Sequence, residues 1–187
     1  MNGSTPIITH IVPGPAEPTT MATMTGARAD FEQLFAEHHD HLVRLAGLLT
    51  GRDDQAQDIV ADVFARLLVR PLGHDIDDPR AYLRRCVVNE YRSVGRRLAR
   101  RAQLGARVDR PPVSPAAFDD PITERDRILR ALGRLPERQR AVLVLRFFED
   151  LSEAETAKVL RVPAGTVKST TSRGAAALRE LLREDRP

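Results

Sequence analysis

The chain has 187 residues, 42% of them apolar and 29% charged, the composition of a globular protein with one ordinary domain or two small ones. A single cysteine, Cys86, can close no intramolecular bridge, so disulfide scaffolds are excluded along with collagen-like repeats and wholly disordered chains. No apolar run approaches the roughly 18 to 20 residues that span a bilayer, and the N-terminus lacks a basic region followed by an apolar stretch, so a cytoplasmic protein is expected.

The formal net charge of +3 conceals a polarised chain. From Arg28 to Asp78 five Arg stand against eleven Asp and Glu, a net of −6, whereas Arg80 to Arg101 holds eight Arg and only Glu90, a net of +7. From Thr123 onward 14 basic and 10 acidic residues leave +4. Two basic segments and one acidic segment describe a protein that meets a polyanion twice and something basic or mixed once.

Residues 1–27 hold four Pro, six Thr and three Gly with no Lys or Arg, a composition that reads as a disordered tail. A first helix is predicted from Phe31 to Thr50, with Phe31, Leu34, Phe35, Leu42, Leu45 and Leu49 on one stripe, Asp30 and Gln33 as a capping box, and Gly51 as its stop. A second runs from Asp54 to Val69 with Ile59, Val63, Phe64, Leu67 and Leu68 as its apolar stripe and an acidic exposed face. Asp78 and Pro79 supply an N-cap and a first-turn proline for a third helix that continues to Arg100. At about 100° per residue, Leu83, Val87, Tyr91, Val94 and Leu98 share one face of it, and Arg85, Asn89, Arg92 and Arg96 lie opposite, bordered by Tyr82 and Ser93. Such a row suits a helix laid on nucleic acid, although a solvated Arg-rich face has the same composition.

Residues 101–122 carry Pro111, Pro112, Pro115 and Pro121 with little periodicity and read as a flexible linker. The expected fold is therefore all-α, with two small helical domains at 28–100 and 123–187. The second contains a helix from Thr123 to Gly133, another from Pro136 to Phe148 that buries Val142, Leu145 and Phe148, and a short helix capped by Ser152 and Glu155 that ends at Leu160. A break at Arg161-Val162-Pro163 leads into a last helix reaching Arg183. Two helices separated by so short a turn, with small Ala157 where they approach, form a helix-turn-helix unit. On its second helix Val167, Thr171, Leu178 and Leu182 face inward, while Thr166, Ser169, Ser172 and Arg173 face outward with Lys168 beside them. Short hydrogen-bonding groups and cations near a helix start can reach base edges in the major groove.

Three stretches, Leu135 to Val142, Asp150 to Ala157 and Val162 to Ser169, resemble region four of bacterial sigma factors. Ala56 to Phe64 resembles the core-binding helix of region two, and Asp78 to Asn89 its promoter-melting part. Two such regions joined by a linker are the architecture of the extracytoplasmic-function (ECF) group. The resemblance implies a protein that binds core RNA polymerase and directs promoter recognition and melting. It assigns Asp58, Ile59, Asp62 and Phe64 to the beta-prime clamp of the polymerase and implies a second contact on the beta flap. The third helix and the loop Pro71–Asp78 would hold the minus-ten element of promoter DNA through Tyr82, Arg85, Asn89, Arg92, Ser93, Arg96 and Arg97. The helix-turn-helix would read the minus-thirty-five element through Thr166, Lys168, Ser169, Thr170, Ser172 and Arg173. Members are commonly held by an anti-sigma factor, a further partner that the resemblance admits.

Some positions depart from the family pattern. Tyr82 stands where Trp is frequent, Ala61 where Gln is common, Arg161 where Gly is common in the turn, and Thr170 where many members carry Arg. The competing reading is a helix-turn-helix regulator that binds duplex DNA without joining the polymerase, and the order of acidic helix and Arg/Asn face over residues 54–97 speaks against it. His38 and His41 lack a second ligand pair with metal spacing, and no phosphate loop, catalytic acid pair or nucleophile elbow is present, so no cofactor, metal or enzymatic activity is expected.

Overall fold

The computed structural model describes residues 18–70, 72, 76–104 and 124–185. The expected disorder of residues 1–17 and of the linker at 105–122 lies outside the described residues. Seven α-helices and one π-helical turn make up the described structure, with no strand among the described residues: α1 (Pro18–Thr50), α2 (Asp53–Val69), α3 (Pro79–Gln103), α4 (Glu124–Arg134), α5 (Glu137–Leu143) continued by the π turn Val144–Phe148, α6 (Glu153–Leu160) and α7 (Ala164–Glu184). The all-α expectation holds.

Helix α1 starts inside the segment that its composition assigns to a tail. Pro18 occupies the first helical position, where its missing N–H costs nothing, and no residue from Thr19 to Thr50 breaks the propagation of a helix anchored further on. The predicted cap at Asp30 is accordingly absent. Gln33 instead donates from Nε2 to Glu37 Oε1 at 2.8 Å, one turn on. At the other end Gly51 adopts φ 73° and turns the chain into α2, and the Thr50 hydroxyl donates to the Ala46 carbonyl at 2.8 Å. Asp53 and Asp54 then lie in the first turn of α2, where carboxylates complement the helix dipole.

The cap at Asp78 is as expected: its Oδ1 accepts from the Ala81 N–H at 2.8 Å. Ser152 and Glu155 form a complete capping box, with Ser152 N–H to Glu155 Oε2 at 2.8 Å and Glu155 N–H to Ser152 Oγ at 3.1 Å. Arg161 takes the left-handed conformation at φ 53°, and the Val162 N–H closes the turn on the Ala157 carbonyl at 3.0 Å. Helix α7 packs on α5 at Gly174, where a Cβ would stand 3.3 Å from Gln139 Cβ and Leu143 Cδ1, so only glycine permits that approach without displacement. The helix predicted as one piece to Phe148 widens into a π turn after Leu143, which leaves Phe147 and Phe148 largely outside the core.

The two halves of the chain share one core. Leu42, Leu45 and Leu49 of α1, Ile59, Val60, Val63 and Phe64 of α2, and Leu83, Val87 and Val88 of α3 belong to the same buried cluster as Val142, Leu145, Leu160 and Val167. A smaller cluster of Leu132, Leu135 and Leu143 supports the far side of α7. Leu68, expected on the stripe of α2, is 64% exposed, and Val60 takes the inward position. Between the halves lies buried Arg140, whose guanidinium donates to the carbonyls of Leu49 (3.0 Å), Thr50 (3.1 Å), Gly133 (2.7 Å) and Leu135 (3.2 Å). It thereby satisfies carbonyls at the ends of α1 and α4 together. Replacing Arg140 with Met keeps most of the volume but leaves those carbonyls without their donor, and we expect a loss of about 2–3 kcal/mol by urea denaturation. An unchanged midpoint would show that water replaces the guanidinium at no cost.

Candidate nucleic-acid interface

Helix α3 separates two chemistries by its own period. Its inner face enters the core, and its outer face carries Arg85, Asn89 and Arg96 exposed to solvent with Tyr82 and Ser93 half-buried at the edges. The Arg85 guanidinium lies 5.9 Å from the centre of the Tyr82 ring, which orders the cation over an aromatic surface. Arg97 donates to Glu90 at 2.9 Å, and Arg66 of α2 binds the other oxygen of the same carboxylate. Arg92 departs from the rest of the row. Its guanidinium reaches out of α3 to the Leu160 carbonyl at the end of α6, at 2.7 Å.

Cys86 sits half-buried beside Tyr82, and burial pushes its thiol up from the ordinary value, the opposite of what a reactive thiolate needs.

Helix α2 shows its acidic face as expected, with Asp58 and Asp62, one turn apart, both exposed. Ile59 and Phe64, assigned by resemblance to a partner surface, are 2% and 3% exposed and belong to the core. Phe64 meets Phe31 edge to face at 6.0 Å and Phe35 at 4.8 Å, so its ring holds α1 on α2. In the helix-turn-helix, Lys168, Ser169, Ser172 and Arg173 are exposed and Thr166 is half-buried. Thr170 is 3% exposed, because it lies three residues after Val167 and four before Gly174 on the stripe that packs inward. Its side chain is therefore covered in this arrangement, unlike those of Lys168, Ser169, Ser172 and Arg173. Thr171, expected inward, is half-buried and bonds the Val167 carbonyl at 2.9 Å.

The histidines near the start of the core are engaged elsewhere. His39 is within 3.0 Å of Asp40 Oδ1, and His41 Nε2 lies 2.6 Å from Glu149 Oε1, across the boundary between the halves. Among the described residues no group of three or more His, Cys, Asp or Glu is arranged to hold a metal ion, and no helix is long and apolar enough to cross a membrane.

Residues 34–101 match the family described as Sigma-70 region 2, and residues 125–178 match Sigma-70, region 4. The RNA polymerase sigma-E factor of Streptomyces coelicolor is 36% identical over 163 residues, covering 84% of this chain and 88% of that protein. The ECF RNA polymerase sigma factor SigM of Mycobacterium tuberculosis is 35% identical over 170 residues, covering 86% and 81%. The chain belongs to the ECF group of sigma factors. As a sigma factor it directs transcription initiation. A solved structure of the sigma factor RpoE from Bartonella quintana, in complex with the anti-sigma factor NepR, superposes with a TM-score of 0.66 at 26% identity, covering 84% of this chain and 99% of that one.

The region-two match contains the acidic face of α2 and the cationic face of α3, and the region-four match ends at Leu178 on α7. Glu90 links the two helices of the sigma factor's region two. Burial raises its carboxyl, but the hydrogen bond and charge of Arg66, with Arg97, outweigh burial and hold it below its ordinary value of 4.5. A carboxylate depressed in the folded state contributes stability that is complete above the unfolded value and disappears as pH falls through the folded one. Urea midpoints of the wild type should therefore fall with pH below about 4.5, and Glu90→Gln should flatten that fall. Parallel curves for the two proteins would contradict the assignment.

Proposed function

We propose that this sigma factor places three surfaces on three targets. The exposed carboxylates of Asp58 and Asp62 meet the basic beta-prime clamp of core RNA polymerase, and α4–α7 meet the beta flap. The outer face of α3 holds the unpaired strand of the minus-ten element: Tyr82 offers a stacking surface, Asn89 and Ser93 hydrogen bonds, and Arg85, Arg96 and Arg97 phosphate contacts. Arg92 joins them once it leaves the Leu160 carbonyl. Helix α7 enters the major groove at the minus-thirty-five element with Thr166, Lys168, Ser169, Ser172 and Arg173. Residues 28–100 and 123–187 are the two working units in this reading, and the protein acts in the cytoplasm as a non-enzymatic subunit. The observation that carries it is the row of Arg85, Asn89 and Arg96 on an open helical face immediately beside an aromatic ring.

Melting requires no covalent chemistry from such a subunit. Extruding a base costs a few kcal/mol, and stacking and phosphate contacts to the displaced strand offset that cost once the strand is captured. Ile59 and Phe64 serve the same function indirectly, by holding α1 and α2 in the geometry that exposes Asp58 and Asp62. An anti-sigma factor is a fitting further partner, since the similar RpoE structure contains one.

The direct test is transcription in vitro with core polymerase from a related bacterium, with and without this protein, on genomic promoter fragments. Promoter-specific transcripts that require the protein are expected. On a promoter so found, Lys168→Ala with Arg173→Ala should weaken duplex binding and reduce the salt slope by about 2. Duplex binding by the protein alone, with no core binding and no change of start site, would instead make it a regulator outside the polymerase.

A further inference from the structure

Glu90 is the one carboxylate between Arg80 and Arg101, and it holds two guanidiniums rather than one. Arg66 of α2 donates to its Oε2, and Arg97 of α3 donates to its Oε1 at 2.9 Å. The acid is 8% exposed, whereas the two cations are 58% and 61% exposed. The negative charge is therefore recessed, and the positive charges stand in front of it. A guanidinium carries five N–H donors, so each cation keeps donors that the carboxylate does not use.

Arg66 also lines a cleft of about 640 Å³ between α2 and α3, together with Asp62, Val69, Arg70, Tyr82 and Cys86. Tyr82 is the ring proposed above to stack a base, and α2 brings Arg66 to the same cleft from the other wall. Asp62 is the only acid lining the cleft among the described residues. The sequence resemblance assigns α2 to core polymerase and places no strand contact on it.

We propose that Arg66 is a strand-binding residue: Arg66 and Arg97 clamp one phosphate of the unpaired minus-ten strand, and Glu90 is the positioning residue that holds the two guanidiniums side by side. The inference deepens the reading of α3 as the strand-binding helix and rests on it. A phosphate has oxygens enough to accept from both guanidiniums while Glu90 keeps them ordered from beneath. Ordering two long side chains in advance removes part of the entropy cost of fixing them on binding.

Binding of a fluorescein-labelled single-stranded DNA of mixed sequence to the full-length protein is followed by anisotropy over a series of salt concentrations, with helicity checked by circular dichroism. Arg66→Ala should weaken binding about fivefold and lower the salt slope by about 0.7, the value of one phosphate contact on a single strand. Arg66→Lys keeps the charge and should keep the slope. Glu90→Gln removes a negative charge, so on charge alone it should tighten binding; the loss of a positioning residue should instead weaken it about threefold. If Arg66→Ala loses helicity by leaving Glu90 half satisfied, Arg66→Ala added to Glu90→Gln decides, and it should still lower the slope. Arg44→Ala, at an exposed position of α1, is the charge-matched control and should bind as the wild type does. An unchanged slope in Arg66→Ala, or an equal loss in Arg44→Ala, would overturn the clamp, and tighter binding by Glu90→Gln would overturn the positioning role. Arg85→Ala separates the two layers: weaker binding there with none at Arg66 overturns the clamp alone, and no effect at either overturns the reading of α3 beneath it.

Discussion

The ends of α1 and α4 finish with carbonyl groups that no further helical turn can satisfy, and Arg140 supplies their donors from α5. That arrangement constrains the rest of the molecule. A guanidinium cannot lose its charge, so it tolerates burial only where acceptors surround it, and here those acceptors come from both sides of the linker. Around it Leu45, Leu49, Val142 and Leu145 close into a continuous apolar core. The chain at rest is one body, although its two ends match two separate families of sigma-factor region.

The same economy governs the polar faces. Helix α3 has one face in the core of the first half, a second stripe under the second half and a third face open to solvent, and Arg92 sits at the meeting of the last two. Glu90 is buried to tie α2 to α3, and its partners Arg66 and Arg97 remain exposed, so Arg97 closes a structural pair while its side chain stays open to solvent. On α7, Val167, Thr170 and Gly174 take the packing, which leaves Lys168, Ser169, Ser172 and Arg173 exposed to solvent.

Features set by near neighbours in the chain were legible in the sequence. The Asp78 cap, the Ser152–Glu155 capping box, the turn at Arg161, the acidic face of α2 and the amphipathic period of α3 each depend on residues within a turn or two, and all are present in the structure. The family resemblance added roles but blurred burial: Ile59, Phe64 and Thr170 lie on packed faces, although the helical period of α2 already set Ile59 and Phe64 on its apolar stripe. Thr170 and Thr171 differ by one position, and at a shallow helix boundary that step decides which is covered. The contacts of Glu149 with Arg84 and His41, and those of Arg140 with α1, join residues far apart in the chain and leave no local pattern to read. The start of α1 at Pro18 was hidden by a Thr- and Pro-rich composition that a helix tolerates once a packed segment downstream has nucleated it.

The central claim is the proposed role of α3 in holding the minus-ten strand, in which Arg92 leaves the Leu160 carbonyl and the halves that pack together in the structure part on core polymerase. Spin labels at Ala36 on α1 and Ala176 on α7, both exposed and neither among the residues proposed to contact DNA, report the separation of the halves in a Cys86→Ser background. Pulsed electron–electron resonance on the free chain should give one short, narrow distance, and addition of core polymerase should replace it with a longer one. A free chain that already shows the long distribution, or a core-bound chain that keeps the short one, would contradict the account.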